Sequence, residues 1–331
     1  MTQPLIIGID VGGTKIAGGL VTPKGRLVSW LTVPTRADEG FASSFGQVVR
    51  AIQRLIRRAG GEQKIAGIGL CAPGPFDTKN GVILNAPNVA GWKNIPLAAK
   101  LETEFHLPVK VENDANAAAL GEVLFGAATS YRHVFYVTVS TGIGTGIIIN
   151  RRVYHGKNGA AGEGGHVSID FESQYRCGCG ALGHIEALAS GPAMARRARV
   201  RLEQEHATPS KLRQLTRGNL SLISPQLIVK AARLGDKVAQ GIIDETGFYL
   251  GVWLAGMITL LDPEAIVMGG GVSLIGEPLF RPIRKTILRY TMNPGLAAHT
   301  PLLPAKLRRH VGVFGAASLL LPAGEEAEDR Y

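Results

Sequence analysis

The chain has 331 residues, of which 45% are hydrophobic and 19% are charged. This length suits about two domains, and this composition excludes a largely disordered chain. The net charge of +10 at pH 7 invites comparison with nucleic-acid-binding proteins. The basic residues are spread over several short groups, however, and those between Arg50 and Arg58 have the spacing of a solvated helix face. We therefore expect ordinary surface charge and no nucleic-acid partner.

No segment predicts export or membrane insertion. The N-terminal MTQPLIIGID lacks a basic stretch followed by a long apolar one. The longest apolar run, around residues 251–261, is too short and too interrupted to span a bilayer. Cys177 and Cys179 are one residue apart, a spacing at which a disulfide framework is implausible. We predict a cytoplasmic protein with no membrane partner.

The first elements in chain order are strands that flank a glycine turn. The predicted elements are strand 4–10, the turn Gly12-Gly13-Thr14-Lys15, strand 16–21, strand 27–33, helix 41–58 and strand 65–71. The loop Ala72-Pro73-Gly74-Pro75 follows, which no helix can cross. A strand at 109–112 then delivers Asn113 and Asp114 to the start of a helix predicted for residues 115–125.

The opening pattern returns about 130 residues later. Strand 134–140, a glycine-rich turn at 141–146 and strand 147–150 repeat the arrangement around Asp10, which predicts two similar halves. Beyond residue 190 the chain is mainly helical, with helices at 227–234 and 238–261. Strand 265–268 precedes Gly269, Gly270 and Gly271, and a last helix at 314–321 precedes an acidic tail that we predict to be disordered.

The two glycine turns suggest phosphate binding, although neither matches a common nucleotide motif. Residues 8–15 end in Gly-Thr-Lys and lead into a strand, whereas a P-loop ends in Gly-Lys-Ser/Thr and leads into a helix. Backbone N–H groups in such hairpins can approach phosphate oxygens closely, with the hydroxyls of Thr14 and Thr141 as further donors. The carboxylate of Asp10 beside a phosphate makes sense if Mg²⁺ lies between them. Ordinary tight hairpins remain the alternative.

The segment Glu112-Asn113-Asp114-Ala115-Asn116 places polar side chains where a strand meets a helix. In a kinase a carboxylate takes the proton from the attacking hydroxyl, and Asp114 is the candidate for that base. An N-terminal helix cap without catalytic function is the alternative, since Asn and Asp are common caps.

Four residues near the middle of the chain have the chemistry of a zinc site. His166, Cys177, Cys179 and His184 could complete a tetrahedral Cys2His2 set. The Cys-x-Cys spacing is tighter than in the commonest zinc knuckles, so two chance cysteines in a glycine-rich loop are the alternative.

Taken in order, these segments resemble the signature of the ROK family of sugar kinases. The matching segments are D-x-G-G-T-K, A-P-G-P, E-N-D-A-N, S-T-G-x-G-x-G, E-x-G-H and C-x-C-G-x-x-G-C-x-E, with one departure at His184, where the family usually has a third zinc-binding cysteine. Because histidine is itself a zinc ligand, we expect the metal site to be retained.

The resemblance implies an α/β, two-domain, actin-like (ribonuclease H-like) sugar kinase fold with an interdomain cleft. It implies a small N-terminal domain at residues 1–115, a large domain with the zinc-type loop at 116–305, a C-terminal helical segment at 306–322 that returns to the N-terminal domain, and a disordered tail at 323–331. Relatives are commonly dimers, so a homodimer is expected.

The resemblance also implies roles for individual residues. Asp114 would be the base that activates the 6-hydroxyl of a hexose. The sugar would also contact Gly74, Asn88, Asn113, Glu163, His166 and Glu186. ATP and Mg²⁺ would be bound by Asp10, Gly12, Gly13, Thr14, Lys15, Thr141, Gly142, Gly144, Gly269, Gly270 and Gly271. His166 would place one ring nitrogen on the sugar and the other on zinc.

Glucose is the expected substrate, because E-G-G-H and the stretch N-A-P-N-x-x-G-W at 85–92 resemble ROK glucokinases. Kinases for N-acetylglucosamine, N-acetylmannosamine, mannose, fructose or allose share the scaffold and stay open. Some members of the family are sugar-sensing transcriptional repressors with a helix-turn-helix ahead of the first turn. Only three residues precede the first apolar strand here, so we expect a kinase.

Overall fold

The structure, a computed structural model, describes residues 3–86, 88–204 and 209–322. The tail predicted to be disordered, residues 323–331, lies outside this part of the chain. The strands found here are β1 (Leu5–Val11), β2 (Lys15–Val21), β3 (Leu27–Pro34), β4 (Ile65–Ala72), β5 (Phe76–Asp77), β6 (Val82–Asn85), β7 (Lys93–Ile95), β8 (Val109–Asn113), β9 (Val134–Val139), β10 (Ile143–Ile149), β11 (Arg152–Val153), β12 (Ala265–Gly269) and β13 (Leu302–Pro304).

The α-helices in the same residues are α1 (Phe41–Ala59), α2 (Leu97–Phe105), α3 (Asp114–Phe125), α4 (Ile185–Ala189), α5 (Gly191–Gln204), α6 (Lys211–Leu215), α7 (Pro225–Arg233), α8 (Lys237–Leu261), α9 (Glu277–Tyr290), α10 (Pro294–His299) and α11 (Val311–Ser318). None of these helices is both long enough and apolar enough to cross a membrane.

The first sheet has the strand order β3-β2-β1-β4-β8. β1 pairs antiparallel with β2 and parallel with β4, and β4 pairs parallel with β8. β1 is buried on both faces, which is typical of a sheet covered by helices on each side. The apolar stripe of α1 packs in one core with Ile7 and Ile9, while Val313 of α11 packs with Ile6 in a second cluster.

Glycines let α11 lie directly on the backbone of this sheet. A Cβ atom added at Gly8 would overlap the carbonyl of Val313, and one added at Gly69 would overlap the carbonyl of Ala316. The same helix crosses α3 at Gly121 and Gly315, where a Cβ on either residue would also collide with backbone. The close packing fixes α3, whose first residue is Asp114, relative to the sheet.

The second sheet has the strand order β11-β10-β9-β12-β13, which repeats the order of the first sheet element by element. β10 pairs antiparallel with β11, and β12 pairs parallel with β13. The repeat confirms the two similar halves predicted from the two glycine turns. The predicted length of the second turn, 141–146, is wrong, because β10 already begins at Ile143 and Gly144 lies within that strand.

By internal contacts the described chain divides into two compact units. The first unit contains residues up to 136, residues 146–162 and residues from 305 onward, and the second contains residues 137–145 and 163–304. α3 belongs to the first unit, where it packs against α11. The domain bounds inferred from the family resemblance stay a prediction.

Candidate active site

The first glycine turn, between β1 and β2, is held by a clamp of hydrogen bonds. The Gly12 N–H donates to the carbonyl of Lys15 at 3.0 Å, which closes the hairpin. Thr35, the residue after β3, holds the turn, because its hydroxyl donates to the Gly12 carbonyl at 2.6 Å and its N–H donates to the Thr14 carbonyl at 3.1 Å. The turn therefore has a fixed backbone before any ligand binds.

Asn88 packs against this turn. A Cβ atom added at Gly13 would lie 3.0 Å from the carbonyl oxygen of Asn88. The loop that carries Asn88 is anchored by buried Trp92, whose backbone carbonyl accepts from the Ala86 N–H at 2.8 Å and whose indole N–H donates to the Ser44 hydroxyl at 2.8 Å. Two predicted binding segments thus lie side by side within the first unit.

Asp10 lies near the end of β1 in a setting that disfavours its charge. Burial raises its pKa to about 6, and the negative charge of Asp114 acts in the same direction. The Cys71 thiol, 3.8 Å from Oδ1 of Asp10, and the ammonium of Lys15 oppose this shift. On another side Gly312 packs so closely that a Cβ there would overlap the carboxylate. A carboxylate in this position is suited to a cation that neutralises it.

Asp114 is the first residue of α3, and Asn113 is the N-cap. The side-chain oxygen of Asn113 accepts from the N–H groups of Ala115 at 2.8 Å and Asn116 at 3.2 Å. Its amide nitrogen donates to the Gly74 carbonyl at 3.2 Å. The cap predicted as the alternative for this segment is therefore Asn113, and the helix N-terminus favours a negative charge on Asp114.

Gly74 is required by its own geometry. Its φ of +110° lies in the left-handed region, and a Cβ there would overlap the carbonyl of Asn85. The A-P-G-P loop can therefore bring the Gly74 carbonyl to the Asn113 side chain only with glycine at this position. Gly74, Asn113 and Asp114 form one local structure.

In the second unit the glycine turn after β9 is clamped by a carboxylate. Oε2 of Glu186 accepts from the Ile143 N–H at 2.9 Å, and a Cβ atom added at Gly142 would lie 2.5 Å from the same oxygen. The Ser140 N–H donates to the Gly142 carbonyl at 2.8 Å, while the Ser140 carbonyl accepts from the Gly191 N–H at 2.8 Å. This turn is thereby tied to the starts of α4 and α5.

A cavity of about 700 Å³ opens beside this second turn. Its volume falls in the range that holds small-molecule ligands. It is lined by Ser140, Thr141, Gly191, Pro192, Ala195, Arg199, Ile223, Ser224, Pro225, Gln226, Val229, Gly271, Val272, Leu274 and Ile275. Two segments predicted to bind ATP, at Thr141 and at Gly271, therefore border one cavity within the second unit.

The four residues predicted to bind zinc come together. The nearest ligand atoms of His166, Cys177, Cys179 and His184 all lie within 4.8 Å of one another. Sγ of Cys177 is 3.5 Å from Nδ1 of His166, and Sγ of Cys179 is 3.3 Å from Nδ1 of His184. A tetrahedral zinc ion with ordinary bond lengths separates its ligand atoms by about 3.3–3.8 Å. The donor set suits such an ion, and the two Cys–His distances of 3.5 and 3.3 Å fall within this range.

The cluster is linked to the second turn through Glu186. The Cys177 thiol donates to Oε1 of Glu186 at 3.2 Å, while Oε2 holds the Ile143 N–H. Burial raises the pKa of Cys177 to about 12, and the Glu186 carboxylate contributes in the same direction. The other ring nitrogen of His166, Nε2, lies 3.8 Å from Oε2 of Glu163. One imidazole thus faces the sulfur cluster with Nδ1 and a predicted sugar-binding carboxylate with Nε2.

Comparison with known proteins identifies the family. The model of the ROK family matches residues 6–322. The chain belongs to the ROK family. It is 36% identical over 323 residues to a glucokinase of Halalkalibacterium halodurans, covering 97% of this chain and 96% of the relative. It is also 30% identical over 321 residues to a xylose repressor of Bacillus spizizenii, covering 95% of this chain and 76% of the repressor.

Solved structures extend the comparison to the fold. A ROK family glucokinase from Streptomyces griseus, in complex with glucose and AMPPNP, superposes with a TM-score of 0.80 at 38% identity, covering 95% of this chain and 98% of that one. The mixed α/β sheets and this neighbour confirm the predicted sugar kinase fold.

The predicted site residues of this ROK protein are shared between its two units. The first unit contains Asp10, Gly12, Gly13, Thr14, Lys15, Gly74, Asn88, Asn113 and Asp114. The second contains Thr141, Gly142, Gly144, Glu163, His166, Cys177, Cys179, His184, Glu186, Gly269, Gly270 and Gly271. Within each unit the residues gather at one glycine turn and its neighbours, while the role of each residue stays a prediction.

Sequence reasoning missed several residues that shape the ROK site. Cys71 and Gly312 both pack against Asp10. Gly312 is about 300 residues from Asp10 in the sequence, and a single glycine there does not indicate such a contact. Thr35 clamps the first turn from a strand end that carries no motif. These contacts depend on tertiary packing, which local sequence patterns do not predict.

Proposed function

We propose that this ROK protein is an ATP-dependent glucokinase that transfers the terminal phosphoryl group of ATP to the 6-hydroxyl of glucose. The observation that carries the proposal lies in the first unit. There β4 pairs with both β1 and β8, with Cys71 beside Asp10 and Ala72 beside Asn113, so Asp10 and Asp114 lie at the same end of the sheet. The negative charge of Asp114 adds to the effect of burial in raising the pKa of Asp10. Phosphoryl transfer requires a general base, a carboxylate that can bind Mg²⁺ and backbone N–H groups that can bind phosphate. The glucokinase relatives support glucose as the acceptor.

Asp114 would accept the proton of the 6-hydroxyl as that oxygen attacks the phosphoryl group. The α3 N-terminus and the Asn113 cap hold its backbone, so the base is positioned before the substrate arrives. Asp10 fits a Mg²⁺ ion, since its neighbours otherwise disfavour its negative charge. Mg²⁺ would supply neutralisation of the phosphate charge. Thr141 and Gly271 would contact the nucleotide in the cavity that they line.

The hexose hydroxyls would be bound by the predicted residues Gly74, Asn88, Asn113, Glu163, His166 and Glu186. The side-chain oxygen of Asn113 already accepts two backbone N–H groups, so the sugar would accept from the second N–H of its amide nitrogen. Glu186 would offer the remaining lone pairs of its carboxylate. Groups held in this way would reject a sugar that lacks the matching hydroxyl, because polar atoms covered by that sugar would have no hydrogen-bond partner.

Zn²⁺ is the ion we assign to His166, Cys177, Cys179 and His184. Its role would be to fix the loop and the tautomer of His166, whose Nε2 faces Glu163. Metal analysis of protein purified without added zinc should give about one zinc per chain. A Cys177→Ser variant should lose the metal, whereas Cys71→Ser should keep it, since Cys71 lies outside the cluster. A zinc content near zero in the unaltered protein would discard this assignment.

The proposed activity is tested by coupled ADP release with ATP, Mg²⁺ and a panel of hexoses. Glucose should give the highest kcat/KM, ahead of mannose, fructose and the N-acetylhexosamines. A higher kcat/KM for another hexose would support the kinase activity but assign it a different substrate. Glucose binding without ADP release would instead favour a sugar sensor, the function suggested by the xylose repressor relative. A homodimer and a cytoplasmic location complete the proposal, and sedimentation of the purified protein tests the dimer.

A further inference from the structure

A half-buried histidine contacts a buried glutamate that lies two residues before the proposed base. Nε2 of His155 is 2.6 Å from Oε2 of Glu112, and the two side chains are 32% and 4% exposed. Both residues belong to the first unit and line a cavity of about 620 Å³. The cavity gives the imidazole contact with solvent, whereas the carboxylate depends on protein partners for its hydrogen bonds.

The other oxygen of Glu112 is engaged with the start of α3. Oε1 accepts from the N–H of Asn113 at 2.8 Å and from the side-chain amide of Asn116 at 3.2 Å. Asn113 in turn caps the helix whose first residue is Asp114. A continuous series of hydrogen bonds therefore runs from the imidazole of His155 through one carboxylate to the backbone that carries the base.

We propose that His155 and Glu112 act together as positioning residues for Asp114, with the imidazolium of His155 as the cation that holds the carboxylate in place. The proposal rests on the kinase function proposed above. A carboxylate this deeply buried must be compensated, and removal of its cationic partner leaves the charge without compensation. We expect Glu112 then to turn toward other donors and to release the N–H of Asn113.

Other charged groups around the cavity are less able to take the place of His155. Arg151 already donates to the carbonyls of Val123, Thr129 and Tyr131. Glu102 accepts from the Val109 N–H. The remaining charged side chains that line the cavity are the exposed Lys79, Lys110 and Arg152. Of all these groups, His155 is the one with a described contact to Glu112.

The hydrogen bond to Glu112 raises the pKa of His155 above its usual range, in spite of the opposing effect of burial. The stabilisation by the charged pair is therefore complete below about pH 6.5, the ordinary pKa of histidine, and is lost as the pH rises through the raised value. Above it, a neutral imidazole can still donate, but through a weaker hydrogen bond than an imidazolium.

The experiment compares His155→Ala, His155→Gln and the exposed control His299→Gln in steady-state kinetics with ATP and glucose. His155→Ala should lower kcat about tenfold with KM for glucose within about twofold, because a displaced base affects the transition state and not sugar binding. His155→Gln keeps a neutral donor and should regain part of the rate. The ratio of wild-type kcat to that of His155→Gln should fall as the pH rises from 6 to 9. A ratio is used because the titration of any group present in both proteins affects both rates equally.

Loss of kcat in folded His155→Ala, with glucose affinity retained by calorimetry and rescue by His155→Gln, supports the positioning role. If His155→Ala is too unstable, the double variant Glu112→Gln/His155→Ala removes the buried charge and should fold but keep the low kcat. The inference is overturned if the loss of kcat in the His155 variants is proportional to the loss of folded protein, or if the kcat ratio does not depend on pH. Neither result would contradict the proposed kinase activity. An inactive wild-type protein overturns the proposed function itself.

Discussion

The two glycine turns of this protein share a topology and differ in charge. Each follows the first strand of a sheet with the same strand order. The first turn has Asp10 two residues before Gly12 and is clamped by the neutral side chain of Thr35. The second has Ser140 in the corresponding place and is clamped by the carboxylate of Glu186. The two turns thus have equivalent positions in their sheets, and the side chains around them differ in chemistry.

The difference suggests a division of labour in the proposed reaction. The carboxylates of the first unit suit proton transfer and a cation, whereas the second unit combines a hydroxyl-bearing turn with a cavity of nucleoside size. If this is correct, substitutions at the first turn should act on the chemical step, and substitutions at the second should act on nucleotide binding and on the metal cluster.

The largest effect is expected for Asp114→Asn. Asparagine keeps the shape of the side chain but cannot take the proton of the sugar hydroxyl, so kcat should fall by about 10²–10⁴-fold. Glucose binding, measured by calorimetry, should change little. Asp38→Asn, at an exposed carboxylate of the same unit, serves as the control and should retain full turnover. Near-normal turnover in Asp114→Asn would assign the base elsewhere.

Asp10→Asn should stabilise the protein at neutral pH while impairing catalysis. The folded state raises the pKa of Asp10 from 3.8 to about 6, so its favourable contribution is complete below pH 3.8 and is lost as the pH rises through 6. Asparagine is neutral throughout. The free energy of unfolding in urea, without Mg²⁺ or nucleotide, should therefore be about 1–3 kcal/mol higher for the variant at pH 7.5 and equal to wild type near pH 4.

Asp77→Asn is the matched control for that measurement, because its hydrogen bonds to Asn80 lower the pKa of Asp77. The expected pH dependence is the reverse of that for Asp10, because a lowered pKa stabilises the folded state above the pKa of the unfolded state. Asp77→Asn should therefore lose stability relative to wild type as the pH rises. Equal behaviour of the two variants would mean that the setting of Asp10 does not disfavour its charge.

The contrast between the turns was only partly predictable from the sequence. Strand, turn and strand recur around Asp10 and Ser140, so the repeated fold follows from local pattern. The zinc-type cluster also follows from residue chemistry, since Cys and His in one loop have few other uses. The links of Glu186 to Ile143 and of Glu112 to His155 could not be predicted. They join residues 43 positions apart, and only the folded backbone brings them within hydrogen-bonding distance.

The smallest effects, and the most direct comparison of the turns, are expected from Gly13→Ala and Gly142→Ala. The new methyl group at 13 would meet the Asn88 carbonyl at 3.0 Å, which a shift of a few tenths of an ångström at the exposed Asn88 can relieve. At 142 it would meet Oε2 of Glu186 at 2.5 Å, and that carboxylate also binds Ile143 and Cys177. Gly142→Ala should thus raise KM for ATP by roughly tenfold, about 1.4 kcal/mol, and Gly13→Ala by no more than about threefold.

Zinc content distinguishes the two variants further. Gly142→Ala displaces Glu186, whose Oε1 lies 3.2 Å from Sγ of Cys177, and so disturbs the backbone setting of the cluster. Zinc bound per chain should therefore fall in this variant and stay constant in Gly13→Ala. The second turn contacts the metal cluster through Glu186, whereas the first turn packs against the loop of Asn88. Equal zinc content and equal KM for ATP in both variants would show that the two clamps are interchangeable, in spite of their different charge.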